Sequence, residues 1–176
     1  MIETISNEYK RLCMKHHSKK ENWGASGGKW ADDIAGIARR NGVQTILDYG
    51  SGKGLLSEQL RNKGFQVTEY DPAIKGIERK PEQTFDLVVC TDVLEHIEPD
   101  YLDVVLQELH TYAPLGYFVI CLGPARKHWL SDGRNAHLIV KSRNWWAEKL
   151  KRYWSFKELG GRGWKKREMV VEARIE

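Results

Sequence analysis

The feature that most constrains the fold is an apolar run that ends in a glycine-rich turn and continues directly into helical spacing. The run covers residues 43–49, the turn G-S-G-K-G covers residues 50–54, and Leu55, Leu56 and Leu60 recur with the period of an α-helix. This order predicts a strand, a glycine loop and a helix. Such a unit presents backbone N–H groups to an anionic ligand at the amino end of its helix.

The rest of the chain alternates between strands and helices. Strands are predicted at residues 65–70, 85–90, 116–122, 153–159 and 169–175, and helices at residues 2–14, 29–40, 100–113 and 145–151. Ser142 or Asn144 could cap the last helix. The two final strands alternate in polarity and are joined through residues 160–163. The order therefore predicts an α/β fold, with a mostly parallel sheet that ends in a C-terminal antiparallel strand pair.

We expect one trimmed Rossmann-like domain over residues 1–176, because 176 residues suffice for a single ordinary core. Within it, residues 1–42 would supply N-terminal helices and a lid, 43–122 the cofactor-binding core, and 123–176 an acceptor-side loop, helix and terminal strands. The three cysteines have no CxxC spacing, so they are expected to be reduced thiols. No apolar stretch is long enough to span a bilayer and the first ten residues lack a signal-like core, so we expect a cytoplasmic protein without a membrane contact.

The net charge of +4 is concentrated near the C-terminus. Residues 141–168 contain ten basic and three acidic side chains, and six aromatic ones stand between them: Trp145, Trp146, Tyr153, Trp154, Phe156 and Trp164. This mixture is typical of surfaces that bind single-stranded nucleic acid. On a terminal helix and edge strands, however, aromatic side chains more often pack inward. Nucleic acid is therefore an alternative partner and not the favoured one.

The glycine loop has two companions that suggest a particular cofactor. Asp71 follows the next strand about twenty residues on, where a carboxylate can accept both hydroxyls of a ribose. Leu55 stands where a nicotinamide fingerprint needs glycine or alanine, which argues against a dinucleotide. The third feature is the run F-D-L-V-V-C-T-D-V-L-E-H at residues 85–96. Since ligands of such sheets bind beyond the carboxyl ends of the strands, all three features should border one crevice.

Together, these motifs resemble the class I S-adenosylmethionine-dependent methyltransferases, in particular the ubiquinone-biosynthesis O-methyltransferase branch. The resemblance covers about residues 45–122 and implies S-adenosylmethionine as the cofactor, with Asp48, Gly50 and Gly52 around its methionine part and Asp71 on its ribose. The full predicted cofactor set is Asp48, Gly50, Ser51, Gly52, Asp71, Pro72, Thr91 and Asp92. The alternative is that Asp48 and Asp71 only cap their own turns.

One departure from the family concerns the segment after Asp71. Family members usually have a further helix and strand before the F-D-L-V-V strand, whereas only the thirteen residues 72–84 stand there in this chain. That length can form a crossover but cannot contain another βαβ unit. We expect residues 72–77 and Cys90 to line the adenine pocket instead.

The run D-x-x-E-H at residues 92–96 predicts a second chemical group. On a helical turn its polar side chains share one face, and the run resembles the E-x-x-E-H run of ubiquinone O-methyltransferases and small-RNA 2′-O-methyltransferases. The resemblance implies a divalent cation, Mg²⁺, Mn²⁺, Fe²⁺ or Zn²⁺, on the ligands Asp92, Glu95, His96 and His137. The alternative is that Glu95 and His96 only brace the helix. The predicted catalytic residues are His96 and Glu95, with neutral His96 as a direct base if no metal is present.

Three functions remain compatible with these motifs. The favoured one is methylation of a small hydroxylated acceptor, because a metal-bound or His-bound hydroxyl loses its proton more readily. The alternatives are an RNA or nucleoside methyltransferase that uses the basic C-terminal region, and a cofactor-binding module without catalysis. Residues 16–30 could fold over the cofactor as a lid or form a plain loop with Trp23 on the sheet. His16 and His17 are expected at the surface.

Overall fold

The computed structural model describes residues 3–19, 23–159 and 167–176. Over these ranges six strands form one sheet in the order β2-β1-β3-β4-β6-β5. Their bounds are β1 Thr45–Tyr49, β2 Gln66–Tyr70, β3 Leu87–Thr91, β4 Leu115–Cys121, β5 Ser155–Glu158 and β6 Glu168–Arg174. The first four strands pair in parallel, whereas β6 is antiparallel to both β4 and β5. The predicted α/β class, the mostly parallel sheet and the C-terminal antiparallel pair are confirmed.

Helices cover both faces of the sheet. Their bounds are α1 Asn7–Lys19, α2 Ala31–Arg40, α3 Leu55–Asn62, α4 Leu102–Tyr112 and α5 Arg143–Leu150. Helices α2 and α3 pack on one face and α4 and α5 on the other. The strand β3 shows why two faces are needed: Leu87 and Val89 point into one core, Val88 and Cys90 into the other, and all four are buried. Such a strand, buried at every position, fits only the middle of a two-sided sheet.

Helix α1 does not cover a sheet face. It belongs to a third apolar cluster that joins Tyr9 and Cys13 to Ala73 and to residues of the loop after β4. The predicted helix at 2–14 is therefore displaced, since the observed helix runs over Asn7–Lys19. The apolar spacing of the segment indicates a helix but not its ends, because the start is set by Ser6, whose hydroxyl accepts from the Tyr9 N–H at 3.1 Å while the distant Glu98 holds Ser6 in place.

The segment after β3 also differs from its prediction. Asp92 has a positive φ of 56°, and only Leu94–His96 forms a short 3₁₀ turn. Asp92 therefore does not lie on one helical turn with Glu95 and His96. Elsewhere, Ser142 caps α5 as predicted, its hydroxyl accepting from the N–H of Trp145. The predicted connection at 160–163 lies outside the described residues, and none of the described helices is long and apolar enough to cross a membrane.

Candidate functional site

A cavity opens at the carboxyl ends of β1, β2 and β3. All eight side chains or glycines of the predicted cofactor set line it, together with His96 and residues of the N-terminal segment. The sheet topology explains the convergence, because β2 and β3 lie on opposite sides of β1 and the chain reverses direction across the sheet there. Cys90 does not line this cavity; it is fully buried in the core beneath α4, so its predicted place in an adenine pocket is wrong.

The glycine loop is fixed by backbone contacts to the next strand. The N–H groups of Gly50 and Ser51 donate to the Tyr70 carbonyl at 2.7 and 3.2 Å. Asp71 continues this clamp: its Oδ2 accepts from the Gly52 N–H at 3.1 Å and its Oδ1 from the Ala73 N–H at 2.9 Å. Asp71 thus caps its own turn, as the alternative interpretation holds, and lines the cavity at the same time.

Asp48, at the end of β1, and Ser51, within the glycine loop, are buried polar residues. The Ser57 hydroxyl donates to Asp48 at 2.7 Å, yet burial raises the pKa of Asp48 to about 7. The Ser51 hydroxyl has no hydrogen-bond partner within the described parts of the chain. A buried hydroxyl without a partner at the wall of a cavity is a position where a polar ligand atom would be stabilised.

Residues 23–28 rest directly on the glycine loop. The Gly24 carbonyl accepts from the Lys53 N–H at 2.9 Å, and Ser26 donates to Asp92 at 2.8 Å. Trp23 does not pack on the sheet; its ring contacts those of His16 and His96 at centroid distances of 4.4 and 4.8 Å. The segment therefore covers the cavity as a lid would, while its motion stays a prediction.

Neither of the two N-terminal histidines is fully exposed. His16 is buried and lies 3.3 Å from the ring of His128, and His17 is half-buried and accepts from the Trp23 indole N–H at 3.1 Å. The expectation of a surface position was wrong for His16 because α1 packs against the loop after β4, more than a hundred residues along the chain. The apolar spacing of α1 indicates a buried face but gives no information about its partner.

Glu95, His96 and His137 come together beside the cavity. Each offers a potential ligand atom, and these three atoms lie within 4.8 Å of one another. Asp92, the predicted fourth ligand, is not in this group: its carboxylate accepts from Ser26 and lies 3.6 Å from Lys29 Nζ. The physical reason is the positive φ of Asp92, which removes the helical spacing on which that prediction depended.

Backbone carbonyls fix the two imidazoles of this trio. Nδ1 of His96 lies 2.8 Å from the Ala136 carbonyl, and Nδ1 of His137 lies 2.6 Å from the Gly123 carbonyl. Because a carbonyl only accepts, each Nδ1 must carry a proton, and in a neutral His96 ring Nε2 then keeps a lone pair. Burial lowers the pKa of His96 to about 3, so its ring stays neutral.

The Glu95 carboxylate is buried and only half satisfied. Its Oε1 accepts from the Cys121 N–H at 2.9 Å, whereas Oε2 has no partner among the described residues. Burial and the nearby Asp92 carboxylate raise the pKa of Glu95. A fully buried carboxylate oxygen without a donor is costly unless something binds it.

His137 reaches the trio through a tight hairpin at residues 125–137. The bridge between Trp129 and Asn135 and the hydrogen bond from Ala136 N–H to His128 O close it. The Asn135 amide bonds both backbone groups of Ala125 at 2.9 and 3.0 Å. The family resemblance and the position in the chain suggested His137, and the structure brings it next to His96, with 4.6 Å between the ring centroids.

The aromatic residues near the C-terminus pack mainly inward. Trp146 is fully buried and Trp154 is 3% exposed, both in the core beneath α4 and α5. These two rings are therefore not available for stacking on nucleic-acid bases, which agrees with the favoured interpretation. Arg162, Trp164, Lys165 and Lys166 lie outside the described residues.

Comparisons with known proteins agree with this geometry. A family model described as a methyltransferase domain matches residues 20–161. The ubiquinone biosynthesis O-methyltransferase of Serratia proteamaculans (strain 568) is 27% identical over 132 aligned positions, which cover 60% of this chain and 54% of that protein. The chain spans about half the length, or less, of the curated relatives that it matches.

Solved structures share the fold. The DhpI–SAH complex superposes with a TM-score of 0.67 at 17% identity, covering 96% of this chain and 98% of that one. The small RNA methyltransferase HEN1 gives a TM-score of 0.61 at 17% identity, over 84% of this chain and 25% of that one. The resemblance to both methyltransferase groups that the motifs indicated is confirmed.

Proposed function

Because this chain belongs to the methyltransferase-domain family, we propose that it binds S-adenosylmethionine and transfers the methyl group to an oxygen atom of a small hydroxylated molecule. The observation that carries the oxygen chemistry is the trio of buried Glu95 with half-buried His96 and His137, of which His96 lines the cavity. The related O-methyltransferases of ubiquinone biosynthesis support oxygen as the acceptor atom.

The polar groups of the cavity support the cofactor. Each oxygen of Asp71 accepts one backbone N–H, so each keeps a lone pair that can accept from a ribose hydroxyl. The unpartnered Ser51 hydroxyl and the turn around Gly50 and Gly52 suit the carboxylate and amino groups of the methionine part.

The trio fits a divalent cation. The imidazoles of His96 and His137, each with its Nδ1 held by a carbonyl, and a carboxylate with an unpartnered oxygen form a mixed nitrogen and oxygen donor set, which suits Mg²⁺, Mn²⁺, Fe²⁺ or Zn²⁺. The carbonyls that hold both Nδ1 atoms are the usual supporting contacts of ligating histidines. When bound, such a cation supplies Lewis-acid polarisation that makes an acceptor hydroxyl easier to deprotonate.

The residues of the chain have little covalent work to do. The sulfonium is an activated donor, so the protein must hold the acceptor oxygen in line with the methyl group and allow its proton to leave. His96 borders the cavity and belongs to the trio, which links the two halves of the site. Glu95 and His96 are therefore the proposed catalytic residues, and without a cation neutral His96 would accept the proton itself.

Calorimetry tests the cofactor half of the proposal. Wild type should bind S-adenosylhomocysteine, and Asp71→Ala should weaken that binding about tenfold or more because the ribose acceptors and the clamp on Gly52 are lost. Asp103→Ala, on the exposed side of α4, is the control and should bind like wild type. No heat with wild type, or equal affinity in Asp71→Ala, would contradict the cofactor assignment.

Metal removal tests the second half of the proposal, that a divalent cation assists methyl transfer to an acceptor oxygen. Methyl transfer to a panel of small hydroxylated acceptors, followed as S-adenosylhomocysteine formation, should stop in EDTA and return with Mg²⁺, Mn²⁺ or Zn²⁺, while cofactor binding persists. His137→Ala should lose Zn²⁺ or Mn²⁺ in titrations with the ion alone, and His110→Ala on α4 should not. Full turnover in EDTA, or unchanged ion binding in His137→Ala, would remove the cation and leave His96 as a direct base.

A further inference from the structure

The cavity needs a wall that the sheet does not supply. Strand β2 is an edge strand of the described sheet, and the chain runs from Asp71 to β3 without a further strand or helix in residues 72–86. A nucleoside whose ribose is held at Asp71 would therefore extend its base toward open solvent at this edge. Another part of the chain encloses the cavity there.

The amino end of α1 provides part of this wall. Besides Asp71 and Pro72, the cavity on this side is lined by Thr4, Ile5, Tyr9, Ala73, Ile97 and Glu98. Ile5 and Tyr9 belong to the same apolar cluster as Ala73, the second residue after Asp71. The helix thus meets the chain directly beyond the proposed ribose position.

Three polar contacts hold this wall in place. The Ser6 N–H and hydroxyl donate to Glu98 at 2.8 and 2.7 Å. The Tyr9 hydroxyl donates to the His96 carbonyl at 2.7 Å. The wall is therefore held by contacts within the chain itself, and such preorganisation lowers the entropy cost of binding.

We propose that this wall, formed by the first residues of the described chain and the turn at 97–98, is the adenine pocket; this inference rests on the proposed function. Adenine has two apolar faces and an amino group at its edge. Ile5, Ala73 and Ile97 supply aliphatic surface for the faces. Each oxygen of Glu98 accepts one bond from Ser6 and keeps a lone pair for the amino group.

Two ligands that differ only in the base test the apolar part. S-Adenosylhomocysteine carries adenine, and S-ribosylhomocysteine lacks it. The ratio tested is the dissociation constant of S-ribosylhomocysteine divided by that of S-adenosylhomocysteine. It should fall about tenfold in Ile5→Ala, the effect of losing one to two methylene-sized contacts with the base. Met14→Ala, a truncation of a side chain that is 45% exposed on α1, should keep the wild-type ratio.

Glu98→Gln tests the polar part. An amide can donate to the carbonyl of hypoxanthine, so this variant should bind S-inosylhomocysteine and S-adenosylhomocysteine more nearly alike than wild type does. Each variant is compared with itself across two ligands, so a fraction of unfolded protein cancels from the ratio. A thermal melt of each variant checks that the fold persists.

The outcomes separate this inference from the function on which it rests. If wild type does not bind S-adenosylhomocysteine, the proposed function fails and the pocket with it. If wild type binds and Ile5→Ala keeps the wild-type ratio, the adenine pocket alone is overturned. This includes the case in which Ile5→Ala loses the same affinity for both ligands, because the wall would then shape the cavity without contacting the base.

Discussion

Replacing Gly52 by alanine tests whether residues 23–28 rest directly on the glycine loop. A Cβ at Gly52 would lie 2.5 Å from the Gly24 carbonyl oxygen and 2.6 Å from its Cα. Ordinary contacts begin at 3.4 Å, so residue 24 must retreat by roughly 0.9 Å. That retreat stretches the 2.9 Å hydrogen bond from Lys53 N–H to Gly24 O beyond useful length.

The magnitude follows from two contributions. The φ of +56° costs any residue with a Cβ about 1 kcal/mol, and the lost hydrogen bond and contacts add about 1–2 kcal/mol. Gly42→Ala is the matched control, since its φ is +68° and no described atom lies within 4 Å of its Cβ position. Urea unfolding should therefore give a loss of about 2–3 kcal/mol for Gly52→Ala against about 1 kcal/mol for Gly42→Ala. Equal losses would refute the direct contact.

Two further predictions concern buried side chains. Burial raises the pKa of Asp48 to about 7, above its value of about 4 in the unfolded chain, so the folded state binds the extra proton and the free energy of unfolding falls as pH rises from about 4 through 7. Urea unfolding between pH 5 and 8 should show this fall in wild type and much less of it in Asp48→Asn. If the free energies of unfolding of the two proteins changed with pH in parallel, the raised pKa of Asp48 would be contradicted. Trp146→Ala should cost about 3–5 kcal/mol of stability because its ring is fully buried, whereas Trp129→Ala, at a side chain 59% exposed, should cost under about 0.5 kcal/mol. If urea unfolding gave similar losses of stability for both variants, the inward packing of Trp146 would be contradicted.

Local patterns determined the backbone of the site. The apolar run before residues 50–54 could only be a buried strand, and the turn itself requires glycine because Gly50 and Gly52 have positive φ. The position of Asp71 at the end of the next strand and the buried strand β3 then follow from the alternation of strands and helices. Parallel topology brings their carboxyl ends together, so the predicted cofactor residues line one cavity.

Only the tertiary structure decided which side chains complete the site. Helical spacing grouped Asp92 with Glu95 and His96, but a positive φ at Asp92 turns it to Ser26 and Lys29, away from the trio. The wall formed by α1 was equally beyond local reasoning, because its contacts join residues about ninety positions apart, such as Ser6 and Glu98. Periodicity describes which face of an element is apolar, whereas the partner of that face is chosen by how all the elements pack at once.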